Sequence, residues 1–167
     1  MGEYNIGMTN KQIEEIVGNL LVQHKLTLSV AESCTGGLIG HLITNVPGSS
    51  AYFRGGTLAY ANEIKMGLLG VSRETLDQYG AVCKQTVLEM AKGVRKQLGT
   101  DLGISVSGIA GPGGGTPEKP VGLVWVGLSA PDREIAKCFH FIGNRQDVKQ
   151  QSAEQALEIL ADYLSSS

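Results

Sequence analysis

Ser33 lies in the run Ala31-Glu32-Ser33-Cys34-Thr35-Gly36-Gly37, after a strand-like stretch, Leu26 to Val30, and before a helix-like stretch that opens near Leu38. A serine hydroxyl is a weak nucleophile at neutral pH and needs a base to take its proton and donors to hold the oxyanion that forms. The run offers donors: N–H groups around Thr35, Gly36 and Gly37 fall at a helix N-terminus, where four lack intrahelical partners and the dipole favours an oxyanion or a phosphate. The same residues also suit a purely structural purpose, with Ser33 or Thr35 capping the helix and the glycines allowing close packing. A second glycine-rich run, Gly108-Ile109-Ala110-Gly111-Pro112-Gly113-Gly114-Gly115, follows another strand-like stretch. Strand ends in open α/β sheets share one crevice, so two such loops favour an enzyme over a binding module.

The base is less plain. His24 ends a helix-like run, His41 falls inside another and His140 alternates along a strand, positions typical of structural residues. Lys65, in Tyr60-Ala61-Asn62-Glu63-Ile64-Lys65, is the alternative if its amine is largely neutral. Moving a lysine from about 10.4 to about 7.5 corresponds to roughly 4 kcal/mol against the ammonium, within reach of desolvation or a neighbouring cation. Several motifs are absent. The Gly-x-Ser-x-Gly elbow fails at Ala31 and Thr35, Ser-x-x-Lys fails at Gly36, and the phosphate-binding Gly-Lys-Ser/Thr loop fails because Lys119 stands between Glu118 and Pro120.

What must position these residues is one domain: 167 residues, 42% of them apolar, fill one sizeable core and are too few for two ordinary domains. We divide the chain into a tail at 1–8 and a domain at 9–167. A net charge of −2 lacks the basic stripe that a nucleic acid requires, while a single mononucleotide needs only one or two local cations. The N-terminus shows no secretory or myristoylation pattern, and no run approaches membrane-spanning length. Cys34, Cys83 and Cys138 form no Cys-x-x-Cys pair, against a disulfide framework or a zinc site. The expectation is a cytoplasmic protein with no membrane, nucleic-acid or metal partner and no cofactor.

Hydrophobic spacing predicts a first helix after a Thr9–Gln12 capping box, then a strand over Leu26 to Val30 and a helix from Leu38 stopped by Pro47-Gly48. Thr57 to Tyr60 reads as a strand, Asn62 to Leu69 as a helix, and Arg73 to Tyr79 as another between a Ser72 cap and a left-handed Gly80. A longer helix runs from Lys84 to Gly99, strands are expected over Leu102 to Ser107, Val121 to Ser129 and Glu134 to Phe141, and Asn144 caps a last helix. The thirteen residues Gly108 to Pro120 are long enough for a functional loop. Helices flank strands throughout, which gives a three-layer α/β/α sandwich with a mixed, mostly parallel sheet of about five or six strands. The tight link between the last two strands requires an antiparallel pair. Sheet edges make a homo-oligomer plausible.

Six separated blocks carry a family resemblance: Ala31 to Gly37, Pro47-Gly48-Ser49-Ser50, Tyr60 to Lys65, Ser107 to Gly114, Lys119-Pro120-Val121-Gly122 and Phe141-Ile142-Gly143-Asn144-Arg145. From about residue 9 to 164 the chain resembles the C-terminal domain family of CinA, the competence- and damage-inducible protein, whose characterised enzymes are nicotinamide mononucleotide deamidases. The resemblance implies a serine amidohydrolase of pyridine nucleotide recycling with a Ser/Lys dyad, which falls here on Ser33 and Lys65. Tyr60 is then a candidate for relaying a proton or orienting Lys65. Arg145 beside Asn144 is a candidate phosphate seat, and Gly108, Ile109 and Gly111 are candidate donors to the phosphate or carboxamide, next to Thr35, Gly36 and Gly37. Two departures stand out. Cys83-Lys84 replaces a common Ser-Glu, which implies a weaker helix cap, and Ala59 replaces a threonine. Alternatives are a Cys34 nucleophile, or a nucleotide-binding regulatory module that has lost catalysis. The family also occurs fused behind a domain resembling molybdopterin-binding proteins, and a start about eight residues before the first helix reads as the stand-alone form.

Overall fold

The computed structural model describes residues 12–166. Among them, five strands form one sheet in the order β2-β1-β3-β4-β5: β1 Leu28–Glu32, β2 Phe53–Leu58, β3 Leu102–Gly108, β4 Leu123–Ser129 and β5 Glu134–His140. β2 and β3 flank β1 in parallel, whereas β4 opposes both β3 and β5, so four strands share one direction. Every residue of β1 is buried, as is β3 up to Ser107. The helices α3 Asn62–Leu69, α4 Arg73–Tyr79 and α5 Lys84–Leu98 form one outer layer, and α1 Ile13–His24, α2 Leu38–Thr44 and α6 Arg145–Ser165 form the other. The larger core lies under α1, α2 and α6, and a smaller one joins Ala31, Ala59, Leu69, Val71, Met90 and Val94 on the opposite face. The expected three-layer α/β/α sandwich with a mixed, mostly parallel sheet is the architecture found.

Pairing moves the strand ends. β1 starts at Leu28 and runs on to Glu32, because β2 and β3 both pair with that residue, opposite Leu58 and Val106. Ser33 therefore stands directly at the strand end. β2 begins at Phe53, well before the expected Thr57, and contains Gly55-Gly56, residues of poor strand propensity. Pairing overrides propensity here: a Cβ at Gly56 would press 2.5 Å from the Val30 side chain and carbonyl oxygen, so glycine is what lets β2 close on β1. Gly80 has the positive φ, 78°, expected of a glycine ending a helix, but its ψ of −178° takes it out of the left-handed helical region.

The helix ends behave largely as read. Ser72 accepts from Thr75 N–H, and Asn144 accepts from Gln146 and Asp147 in a full capping box. Cys83 caps α5 through its sulfur, 3.3 Å from the Thr86 nitrogen, so the cysteine retains the cap that its replacement of serine put in question. The Thr9 half of the predicted first capping box lies outside the described residues, and Gln12 makes no side-chain cap bond.

One helix contact matters for function. Gly93 of α5 lies against the end of α3, where a Cβ would overlap the Leu69 carbonyl oxygen. An eight-residue helix is marginal by itself, so α3 depends on this close approach and on burying Leu69.

Candidate active site

Ser33 is 8% exposed, and its N–H donates to Val106 O at 3.0 Å, which ties the residue to the end of β3. Gly36 and Gly37 follow at φ 62° and 104°, backbone that only glycine adopts readily, and fold the chain sharply into α2. Gly36 N–H returns to Ser33 O at 3.1 Å, closing the turn. The N–H groups of Thr35 and Gly37 donate to no backbone acceptor among the described residues.

Lys65 projects from α3 into the protein and is 1% exposed. Its Nζ donates to Ala59 O at 2.8 Å, to Tyr60 O at 3.1 Å and to Ser33 Oγ at 3.2 Å. No carboxylate pairs with it among the described residues. Burial strips the ammonium of water and lowers its pKa from the ordinary 10.5. A neutral amine suits this arrangement: its two hydrogens meet the Ala59 and Tyr60 carbonyls, and its lone pair then faces the Ser33 hydroxyl. The Ala59 contact uses the main chain, so the loss of a threonine hydroxyl at that position leaves it intact.

Ser33, Tyr60, Lys65, Gly108 and Arg145 line one cavity of about 210 Å³, together with Cys34, Asn62, Ala81, Val82, Ser107 and Ala110. Tyr60 orients Lys65, one of its two expected roles, but through its main chain. Its carbonyl orients Lys65, while its ring is 66% exposed and its hydroxyl accepts from Arg145 at 3.2 Å. Arg145 also donates to Gly111 O at 2.7 Å, bridging the glycine-rich loop to Tyr60.

Of the sequence-predicted donors, Thr35 keeps its N–H free of any backbone acceptor, whereas Ile109 and Gly111 differ from expectation. The Thr35 hydroxyl donates to Glu32 Oε1 at 2.7 Å and is buried. Ile109 N–H donates to Leu123 O at 2.9 Å, so it is engaged in the sheet. Gly111 meets the site through its carbonyl, held by Arg145, where an N–H was expected. Gly108 lines the cavity, but a Cβ there would also strike β4, at 2.6 Å from Val124, so packing alone accounts for glycine. His24, His41 and His140 are absent from the cavity.

Sequence reasoning passed over Glu32. Although it belongs to the strand, its buried carboxylate accepts from Ile39 N–H at 2.8 Å, Gly40 N–H at 3.0 Å and the Thr35 hydroxyl. It serves the N-terminus of α2 where Gly37, the formal cap, has no side chain to offer. The first N–H groups inside α2 are thus occupied from within, which leaves the loop N–H groups ahead of the helix as the donors open to an oxyanion. Ser107 was also missed; its hydroxyl donates to Ala81 O at 2.8 Å and fixes the cavity wall.

Fold and site together define an α/β/α domain with a serine hydroxyl at a strand end beside a desolvated lysine. The family model for the CinA C-terminal domain matches residues 10–164. The chain belongs to the CinA C-terminal domain family. It is 48% identical over 165 residues to a putative competence-damage inducible protein of Halothermothrix orenii, covering 98% of this chain and 40% of that protein. A CinA-like protein of Thermotoga neapolitana is 47% identical over 163 residues, with 98% and 40% covered. The chain thus spans about 40% of the length of these curated relatives. Among solved structures, the competence/damage inducible protein of Agrobacterium tumefaciens superposes with a TM-score of 0.86 at 39% identity, covering 92% of this chain and 95% of that one. A CinA superfamily protein of Klebsiella pneumoniae gives 0.89 at 29% identity, covering 94% and 100%.

Proposed function

We propose that the chain is a serine amidohydrolase that removes ammonia from nicotinamide mononucleotide. The observation that carries this reading is the buried Lys65 amine 3.2 Å from Ser33 Oγ, with two main-chain carbonyls fixing its remaining hydrogens. Neutral Lys65 takes the Ser33 proton as Oγ attacks the carboxamide carbon, and the unpaired N–H groups of the Ser33 loop stabilise the oxyanion. The tetrahedral intermediate collapses with cleavage of the C–N bond, and Lys65 returns the proton to the departing nitrogen, which leaves as ammonia. Water then attacks the Ser33 ester, giving its proton to Lys65 and on to Oγ, and nicotinic acid mononucleotide is released.

Against the alternative nucleophile stands the Cys34 thiol, which burial pushes up to about 12 and therefore keeps protonated at neutral pH. The decisive assay follows ammonia released from nicotinamide mononucleotide by the wild type and by the Ser33→Ala and Lys65→Met variants. The wild type should turn over, and each variant should lose at least about 100-fold, the usual scale for removing a general base or its nucleophile. Undiminished activity in Ser33→Ala removes the mechanism. Binding of the mononucleotide without turnover by the wild type favours the regulatory module.

A further inference from the structure

The glycine-rich loop after β3 is tied down at both ends and open between them. At its start Ile109 N–H donates to Leu123 O, and Arg145 holds Gly111 O. Residues 112–118 are all exposed, and at Lys119 the chain turns in again, half-buried. Thr116 and Lys119 close that turn: Thr116 N–H donates to Lys119 O at 2.8 Å, and Lys119 N–H donates to the Thr116 hydroxyl at 3.0 Å. The Lys119 side chain then reaches across to α4, where its Nζ donates to Tyr79 O.

Tyr79 ends α4, so its carbonyl is among the four that a helix leaves without an intrahelical partner. Gly80 gives the lysine room, since a Cβ there would stand 3.1 Å from Nζ. The next two residues, Ala81 and Val82, line the Ser33 cavity from a link between α4 and α5 that belongs to neither helix. Three successive carbonyls at this link are gripped by side chains: Tyr79 O by Lys119, Gly80 O by the Thr86 hydroxyl at 2.8 Å and Ala81 O by the Ser107 hydroxyl at 2.8 Å. Thr86 comes from α5 and Ser107 from β3, so of the three grips only that of Lys119 comes from the loop. Lys119 does not itself line the cavity. At about 210 Å³, below the roughly 300–1,000 Å³ usual for ligand pockets, the cavity has little slack for a wall that drifts.

We propose that Lys119 is a positioning residue: by clasping the glycine-rich loop to the end of α4 it holds the Ala81–Val82 wall in place, and so sets how closely the cavity fits its substrate without touching the reacting atoms. This rests on the deamidase reading for its substrate, and it gives the Lys119 run a task separate from that of Ser33 and Lys65.

The test reads the wall and the kinetics separately. Amide hydrogen exchange is followed by mass spectrometry on the wild type, Lys119→Met and Lys119→Arg. Lys119→Met should speed exchange in peptides covering 79–83 by about tenfold or more and leave those from β1 and α3 unchanged, as for a local opening. Lys119→Arg keeps a charged donor of similar reach and should stay near the wild type. In ammonia release from nicotinamide mononucleotide, Lys119→Met should raise KM about fivefold or more and hold kcat within about twofold, the pattern of lost uniform binding, and Lys119→Arg should recover most of the loss. The pH midpoint of kcat should be the same in all three, because Lys65 is untouched. Unchanged exchange at 79–83, exchange that rises throughout the domain, a KM equal to that of the wild type, or a fall in kcat with a shifted pH midpoint would overturn the proposal. Faster exchange confined to the wall, with no deamidation by any form, would uphold the clasp and discard the deamidase reading.

Discussion

At the scale of residues, the proposed chemistry depends on one amine. Burial lowers the Lys65 pKa below 10.5, so between that lowered value and 10.5 the unfolded chain binds a proton that the folded chain lacks. Stability accordingly rises with pH through this interval; the cost of the buried ammonium is complete below the folded value and absent above 10.5. Chemical denaturation at stepped pH should show this slope, and Lys65→Met should flatten it. The kcat/KM profile should rise with pH along the same titration, with a midpoint below 10.5. A second expectation concerns Cys34: as a protonated thiol it serves only as cavity wall, so Cys34→Ala should retain ammonia release within about tenfold while Ser33→Ala does not. Ser33 and Lys65 were legible because each sits in one of the runs that carry the family resemblance. The division of labour in Tyr60, carbonyl to Lys65 and hydroxyl to Arg145, was not, since it depends on how α6 approaches α3 across the sheet end. Glu32 escaped for the same reason: it reads as a strand residue until the fold brings its carboxylate against the Ser33 loop and the start of α2.

At the scale of elements, the Ser33–Lys65 pair is held by two small devices. α3 carries Lys65 and touches α5 at Gly93, where a Cβ would overlap the Leu69 carbonyl. Gly93→Ala, normally a gain of about 1 kcal/mol inside a helix, should here lower the melting temperature and reduce kcat, because α3 must shift and take the amine with it. The other device is Glu32 beneath α2. Glu32→Ala leaves the Ile39 N–H, the Gly40 N–H and the Thr35 hydroxyl without their acceptor, and should destabilise the protein by about 2–4 kcal/mol in denaturant titration. Most helices were readable from spacing and caps, α3, α4 and α5 with their bounds. Of β2 only the end from Thr57 was read, because its Gly55-Gly56 carries no strand propensity and takes its conformation from β1.

At the scale of the whole molecule, the sheet brings Ser33 at the end of β1, the glycine-rich loop at the end of β3 and the start of α6 to one rim, which is why residues far apart in the chain share one cavity. The opposite rim is clasped by Asp101, which accepts from the Thr27 N–H at 2.8 Å and from its hydroxyl at 2.7 Å. Those bonds hold the Asp101 carboxyl below the usual 3.8, so its contribution is present above 3.8 and is lost as pH falls through the lower folded value. Asp101→Asn should therefore reduce stability at neutral pH and diminish the acid-induced loss. The central claim, that Ser33 forms a covalent ester with the help of neutral Lys65, is tested most directly by quenching the enzyme with acid during turnover of nicotinamide mononucleotide and mapping the adduct by peptide mass spectrometry. The account predicts a nicotinoyl-nucleotide ester on Ser33, absent from Lys65→Met; an adduct on Cys34, or continuing turnover with position 33 unmodified, would contradict it.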